Sequence, residues 1–288
     1  MVIKKKKAKK KKAKKKNIKK IVFMLAGLAI IICLIVWHVK PTPIEIYARG
    51  AIVMDANSGR ILFEKNMHTQ MVPSSMTKMM ALAVVFENIA LGNLLLDDEV
   101  VISTRAISTI ASRAGLIEGE SLTVEALIIC ALLPSGSDAV IALGEHLFGS
   151  EKAFVEEMNR KAMELYLENT MFQNSVGLEH RYNFSSAYDM AVLSRYLITN
   201  YPEILYYSSL RTWTLVHENG SETFMRNTND MLNIEGVTGL KTGSGPESGF
   251  NLALTYSHNG RDLIIVVISS PVVQLRRLDI LTLLERFG

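Results

Sequence analysis

Strand-like segments stand at both ends of the chain's body and helical segments fill its middle, and this bracketing constrains the fold more than any other feature. Near the start, Ala48–Asp55 and Arg60–Glu64 are extended runs around Asn57-Ser58-Gly59, a hairpin signal. Near the end, Gly236–Thr242, Phe250–Ser257 and Asp262–Ser269 alternate or run apolar with β-branched residues, and Asn259-Gly260 separates the last two. Pro271 closes that run and Val273–Phe287 reads as a terminal helix. A further strand pair, Arg211–Val216 and Glu222–Arg226, surrounds Asn219-Gly220. Between these ends lie helical spacings at Ser75–Ile89, Leu122–Leu133, Asp138–Phe148, Glu151–Leu167 and Ser186–Asn200, a short strand at Glu99–Ser103 and a loop-like Phe172–Phe184. The pattern predicts an α/β fold: a mainly antiparallel sheet joined from the N- and C-terminal parts, flanked by helices, with a helical insertion.

Ahead of this body the composition changes abruptly. Residues 1–20 hold 13 lysines and no acid, a segment unable to bury a core and expected to be a disordered cytoplasmic tail. Ile21–Trp37 then carries no charge, long enough for a short membrane span and too long for the apolar core of a signal peptide. With the lysines in front of the span and no small-x-small cleavage site close behind it, an uncleaved, single-pass anchor is expected over residues 21–39, in the cell membrane, with the N-terminus cytoplasmic and the rest extracytoplasmic. Pro41-Thr42-Pro43 gives a stiff exit, so residues 40–47 read as a linker and 48–288 as the folded domain, long enough for a sizeable core.

Removing the tail leaves 19 basic against 28 acidic residues, a net charge of −9 over residues 21–288. An acidic body argues against nucleic acid as a partner. Cys33 and Cys130 form no Cys-x-x-Cys pair, and the six histidines show no ligand spacing, so neither a disulfide framework nor a metal site is expected.

Three short motifs carry candidate chemistry. In Ser75-Met76-Thr77-Lys78 the serine and lysine fall on one helix face. A serine needs a neighbouring base to act as a nucleophile, and a lysine kept from solvent can lose its proton and serve. Taken alone, the motif reads more readily as an ordinary cap, Ser74 or Ser75 starting a helix with Lys78 in solvent. Ser135-Gly136-Ser137 lies in a tight turn between apolar helices. Its hydroxyls can project into a cleft and relay protons, or Ser137 or Asp138 can simply cap the next helix. Lys241-Thr242-Gly243 ends a strand, where a cation and a hydroxyl can hold a carboxylate on a peptide added as a further strand, or where a lysine can merely guard an edge.

The ordered trio Ser-x-x-Lys, Ser-x-Ser and Lys-Thr-Gly is similar to the motif set of β-lactamases and penicillin-binding proteins. The likeness extends to Asp55-Ala56-Asn57-Ser58-Gly59-Arg60, Leu133–Ala139, Ser186-Ala187-Tyr188-Asp189 and Gly239–Gly243. Over residues 48–287 the chain resembles the D-alanyl-D-alanine carboxypeptidases, the low-molecular-mass penicillin-binding proteins. The resemblance implies a β-lactamase/penicillin-binding-protein-like fold behind one transmembrane helix, with no cofactor. It implies a serine-type carboxypeptidase that trims the terminal D-alanine of peptidoglycan stem peptides and is acylated by β-lactam antibiotics. Ser75 would be the nucleophile, Lys78 its base and Ser135 a proton relay. Ser137, Lys241, Thr242 and Gly243 would bind substrate, the N–H groups of Ser75 and Ser244 would hold the oxyanion, and Arg276 would lie near the substrate carboxylate.

Two departures matter. The middle motif of the family usually ends in Asn where this chain has Ser137, a shorter side chain without an NH₂ group, which bears on the orientation of Lys78 and on the contact to the substrate amide. The sequence ends at Gly288, where many relatives continue into a β-rich domain and an amphipathic helix, so the N-terminal span is expected to anchor the protein. A class A β-lactamase would need a Glu with an Asn four residues later. Glu164 has Glu168 at that offset and Glu168 has Phe172, which argues against it. A D,D-endopeptidase acting on cross-links, or a poorly catalytic penicillin-binding scaffold, are the alternatives.

Overall fold

Chain segments more than 200 residues apart pair in one antiparallel sheet, Gly50 with Ile268 and Asp55 with Leu263, as the bracketing predicts. The computed structural model describes Lys20, residues 23–28 and residues 44–288. Lys20 and residues 23–28 are helical; the rest of the expected tail and anchor lies outside the described residues. Among the described residues no helix is long and apolar enough to cross a membrane. The chain divides into two units, Met1–Glu45 and Ile46–Gly288, and the second holds the sheet.

The strands in chain order are β1 (Gly50–Asp55), β2 (Ile61–Lys65), β3 (Glu99–Val101), β4 (Ser121–Thr123), β5 (Thr212–Val216), β6 (Glu222–Arg226), β7 (Val237–Gly245), β8 (Gly249–His258) and β9 (Arg261–Ser270). The main sheet runs β2-β1-β9-β8-β7, while β3-β4 and β5-β6 form separate antiparallel pairs. β9 sits at the centre, buried from Leu263 to Ser270, with Ile52 paired to Val266 on one side and Ala253 to Val266 on the other. Its unbroken β-branched run is what a strand covered on both faces requires.

The helices are α1 (Lys78–Ala90), α2 (Thr104–Ile107), α3 (Val124–Leu132), α4 (Ser137–Phe148), α5 (Glu151–Glu164), α6 (Ala187–Asn200), α7 (Ile204–Ser209) and α8 (Val273–Phe287). α1 is buried on all sides from Lys78 to Phe86, as a helix apolar all round must be. Ser103, Thr123, Ser150 and Ser186 cap α2, α3, α5 and α6, each hydroxyl accepting the N–H three residues on.

Two long-range ties fix the frame of the cleft. The Asp279 carboxylate of α8 accepts the N–H groups of Tyr47 (2.7 Å) and Ala48 (2.8 Å), fastening the entry of the unit to its last helix. On β8, Asn251 Nδ2 donates to the carbonyls of Val72 (3.0 Å) and Pro73 (3.1 Å), and its Oδ1 accepts from Ser269 N–H. The sheet thereby holds the backbone that leads into Ser75.

The structure differs from the sequence expectation at several ends. β7 continues to Gly245 because Ser244 and Gly245 still pair with Phe250 and Gly249, so Lys241-Thr242-Gly243 lies within the strand and not at its end. The helix expected from Ser75 begins as a 3-10 turn, Ser74–Thr77, entered through Ser74 at φ +48°. The short α2, β4 and α7 were not anticipated.

Candidate active site

The turn at Ser74–Thr77 feeds directly into α1, which places Lys78 one turn beyond Ser75. Lys78 Nζ donates to Ser75 Oγ at 2.8 Å and to the Val176 carbonyl at 3.0 Å. Lys78 is completely buried. Burial holds its pKa well below the usual lysine value of 10.5, the charge of Lys241 lowers it further, and Asp138 opposes them. Neither contact is an anion, so nothing bonded to Lys78 demands the ammonium form. The ordinary-cap alternative fails here: no side chain caps this turn and Lys78 has no solvent to enter.

The Ser135-Gly136-Ser137 turn forms the facing wall. Ser135 adopts φ +64°, and its buried Oγ has no hydrogen-bond partner among the described residues. A Cβ at Gly136 would stand 2.7 Å from the Cys130 carbonyl and 2.8 Å from Ala114 Cβ, so only glycine fits. Gly136, and not Ser137 or Asp138, is the N-cap of α4 and makes no side-chain cap bond, although Asp138 Oδ1 accepts the Ala139 N–H of the first turn at 3.0 Å. Asp138 instead accepts the N–H groups of Ala114 (2.8 Å), Gly115 (3.0 Å) and Leu116 (3.3 Å), pinning the loop in front of the turn. Ser137 is fully buried and its Oγ has no partner among the described residues. Lys78 is bonded to Ser75 Oγ and to the Val176 carbonyl, and no hydrogen bond joins it to Ser137.

β7 supplies the third wall. Lys241 is buried, not a solvated edge guard; desolvation lowers its pKa to about 7, and Nζ donates to the Thr242 carbonyl at 3.3 Å. Thr242 Oγ1 lies 2.6 Å from Thr228 Oγ1. Gly243 packs so tightly on the nucleophile turn that a Cβ there would fall 2.5 Å from the Pro73 carbonyl and 3.3 Å from Ser75 N. That approach sets the exposed Ser244 beside Ser75. Arg276, near the start of α8, is buried and ion-paired with Asp230.

Ser75, Ser135, Thr242, Gly243, Ser244 and Arg276 all line one cleft of about 760 Å³. It therefore offers a hydroxyl with an adjacent buried amine, a second hydroxyl across the gap, an open strand edge and one guanidinium, while Lys78, Ser137 and Lys241 lie buried behind the lining. Such a set can perform acyl transfer on a peptide that bears a carboxylate. Among the described residues no cluster of three or more His, Cys, Asp or Glu could hold a metal ion.

Several contributors escaped the sequence. Val176 acts through its backbone, and Thr228, Asp230 and Glu179 line the cleft from loops without a recognisable motif. The one available signal was Asn174-x-x-Gly177. Asn174 Oδ1 accepts the N–H groups of Val176 (3.3 Å), Gly177 (2.7 Å) and Leu178 (2.9 Å), a side-chain-built turn that aims the Val176 carbonyl at Lys78. Asn174→Ala is expected to cost about 1–3 kcal/mol by leaving those donors unpaired, measured by urea unfolding. It should also slow acylation of Ser75 by roughly tenfold as Lys78 loses its fixed partner, a loss of ~1.4 kcal/mol in transition-state stabilisation.

The sequence profile of the D-alanyl-D-alanine carboxypeptidase family matches residues 37–271. The chain is 33% identical over 245 residues to D-alanyl-D-alanine carboxypeptidase DacF of Bacillus subtilis, covering 83% of this chain and 61% of that relative's length. Among solved structures it resembles D-alanyl-D-alanine carboxypeptidase DacD from Francisella tularensis, with a TM-score of 0.82 at 26% identity over 86% of this chain and 72% of that one. A variant of the Streptomyces K15 DD-transpeptidase superposes with a TM-score of 0.78 at 30% identity, covering 85% of this chain and 98% of that one.

Proposed function

The chain belongs to the D-alanyl-D-alanine carboxypeptidase family, and from that premise we propose that its cleft removes the terminal D-alanine from peptidoglycan stem peptides through an acyl-enzyme on Ser75. The observation that carries this is the 2.8 Å line between Ser75 Oγ and the buried amine of Lys78. Neutral Lys78 takes the hydroxyl proton as Oγ attacks the penultimate D-alanine carbonyl. The N–H groups of Ser75 and Ser244 receive the oxyanion, and Ser135 passes a proton to the departing D-alanine amine. Thr242 and Arg276 hold the substrate's terminal carboxylate with the charge of Lys241 behind them, and Gly243 lets the peptide backbone lie along β7; Ser137, fully buried and outside the cleft lining, takes no part in binding. Water then enters, gives its proton back through the same groups, and frees Ser75. A β-lactam enters the same path with its strained amide in place of the peptide bond and stalls as the acyl-enzyme.

The test incubates the full chain, in detergent, with a fluorescent penicillin and with an acyl-D-Ala-D-Ala peptide. Covalent labelling together with D-alanine release is expected. Absence of both in a folded sample would end the enzymatic reading, and labelling without release would make the protein a penicillin-binding scaffold. A second reading rests on the likeness to a DD-transpeptidase along nearly its whole length: the acyl group passing to an amine instead of water. Adding a D-amino acid acceptor and measuring exchanged peptide against free acid separates the two.

The proposal includes a location. With 13 lysines in residues 1–20 and an uncharged Ile21–Trp37 behind them, residues 21–39 serve as a single membrane anchor that leaves the cleft outside the cytoplasm. Protease added to intact spheroplasts is expected to digest the domain; full protection would refute this topology.

A further inference from the structure

Two side chains of the segment joining β6 to β7 already sit on the groups assigned to the substrate carboxylate. Thr228 Oγ1 lies 2.6 Å from Thr242 Oγ1, and Asp230 Oδ1 accepts from Arg276 Nη2. All four residues line the cleft that contains Ser75. Arg276 is almost wholly buried and its Nε has no partner among the described residues, so a carboxylate must accompany the guanidinium at rest. Asp230 fills that place while itself one-third exposed. Its second oxygen faces Arg277 Nη1 at 3.7 Å, on the half-exposed neighbouring residue of α8.

The backbone around Asp230 is fixed. Asn227 Oδ1 accepts from Asn229 N–H (2.9 Å), Asn229 Nδ2 donates to the Gly239 carbonyl (3.0 Å), and Asn229 Oδ1 accepts from Met231 N–H (3.1 Å). Movement is therefore left to the Asp230 side chain. A substrate carboxylate arriving at Arg276 meets a carboxylate already there, and two anions on one buried cation repel. Arg277 offers the displaced group an ion pair in solvent.

We propose that Asp230 is a specificity-determining residue of this cleft: an internal competitor that occupies the carboxylate subsite on Arg276 and moves to Arg277 when a ligand's own carboxylate replaces it. The inference rests on the carboxypeptidase reading above, with Arg276 in the carboxylate subsite. It makes the cleft selective for ligands whose carboxylate is strong enough and well enough placed to win the exchange, and it weakens binding of all carboxylate ligands relative to a cleft without Asp230.

The test compares two acyl-D-Ala-D-Ala peptides on the full chain, one with a free terminal carboxylate and one amidated. Asp230→Asn is expected to lower KM for the free acid about tenfold, the factor set by losing one charge-assisted hydrogen bond, with kcat changing less than twofold. KM for the amide should not fall, so the acid-over-amide preference rises about tenfold. Arg277→Gln, a surface change, is expected to raise KM for the acid about threefold by removing the place to which Asp230 retreats. Asp230→Asn combined with Arg277→Gln should then match Asp230→Asn alone. A higher KM for both peptides in Asp230→Asn would mean that Asp230 only positions Arg276, and an unchanged acid-over-amide ratio would mean that it does not compete; either overturns the inference. If the unmodified chain neither takes up fluorescent penicillin nor releases D-alanine, the carboxypeptidase reading falls and this inference with it. Labelling and release with an unaltered ratio removes this inference alone.

Discussion

Lys78→Met is expected to slow acylation of Ser75 by about 10²–10⁴-fold, the usual contribution of a positioned general base, and Ser75→Ala to abolish it. Stopped-flow labelling with a fluorescent penicillin measures both. Methionine keeps the length and bulk of the lysine stem inside a packed helix, so the loss is chemical. Lys78→Arg should be as slow, because a guanidinium keeps its proton. The same substitution has an opposite effect on stability. The folded pKa of Lys78 lies below 10.5, mainly because burial disfavours the ammonium. Between the two pKa values the unfolded chain holds a proton that the folded chain does not, so stability falls as pH drops from about 10.5 toward the folded pKa and is flat below it. Lys78→Met removes that slope and should be the more stable protein, by a margin that widens toward low pH in paired thermal melts. Activity should follow the same sign: protonation of Lys78 as pH falls removes the base and is expected to lower kcat/KM. The alkaline limb, rising pH through about 7, reports loss of charge on Lys241. Lys241→Arg, permanently charged, should erase the alkaline limb and leave the acid one. Labelling by Lys78→Met at the rate of the unmodified chain would remove Lys78 from the mechanism.

What the sequence disclosed and what it hid divide along physical lines. Every strand of the main sheet was legible, because β-branched runs punctuated by Asn57-Ser58-Gly59 and Asn259-Gly260 are local signals. The long helices were legible for the same reason. Thr104–Ile107, Ser121–Thr123 and Ile204–Ser209 were not, being too short for any period to show. At the site, Ser75, Lys78, Ser135 and Lys241 announced themselves as residue types in motifs. Their environment did not: the burial that unsettles both lysines is a property of packed neighbours. The partner of Lys78 is a backbone carbonyl 98 residues away, which no side-chain pattern encodes. Concern over Ser137 came from comparing side chains at one position, a comparison that cannot see the Val176 carbonyl bonded to Lys78. Asp230 escaped for a similar reason, since nothing in Asn227-Thr228-Asn229-Asp230 hints that Arg276, 46 residues on, will need a counter-ion.

Gly177→Ala is expected to lower Tm by roughly 10 °C, from a cost of about 4 kcal/mol, and to slow acylation by at least about 10²-fold. The nucleophile turn is gripped from two sides by glycines that leave no room for a methyl group. A Cβ at Gly177 would stand 1.9 Å from the Ser74 carbonyl oxygen and 2.3 Å from its carbon, and the residue has φ +85°. Strain and collision therefore add, and the colliding atoms are backbone, which cannot swing aside. Ser74 itself holds φ +48°, so its surroundings already impose a conformation that serine disfavours. Any retreat of Ser74 moves Ser75 relative to Lys78, and any retreat of Gly177 moves the Val176 carbonyl off Nζ. Gly243→Ala meets the Pro73 carbonyl at 2.5 Å from the other side, without a positive φ. It should cost less stability, about 1–3 kcal/mol, with a similar loss of rate, since it pushes Ser75 N and the β7 edge apart. Gly220→Ala separates strain from collision: φ is +81° with nothing within 4 Å of the added Cβ. It should cost about 1 kcal/mol and leave acylation unchanged. If Gly177→Ala melts and reacts like Gly220→Ala, the two-sided grip on Ser75 is wrong, and the nucleophile is held by α1 and Asn251 alone.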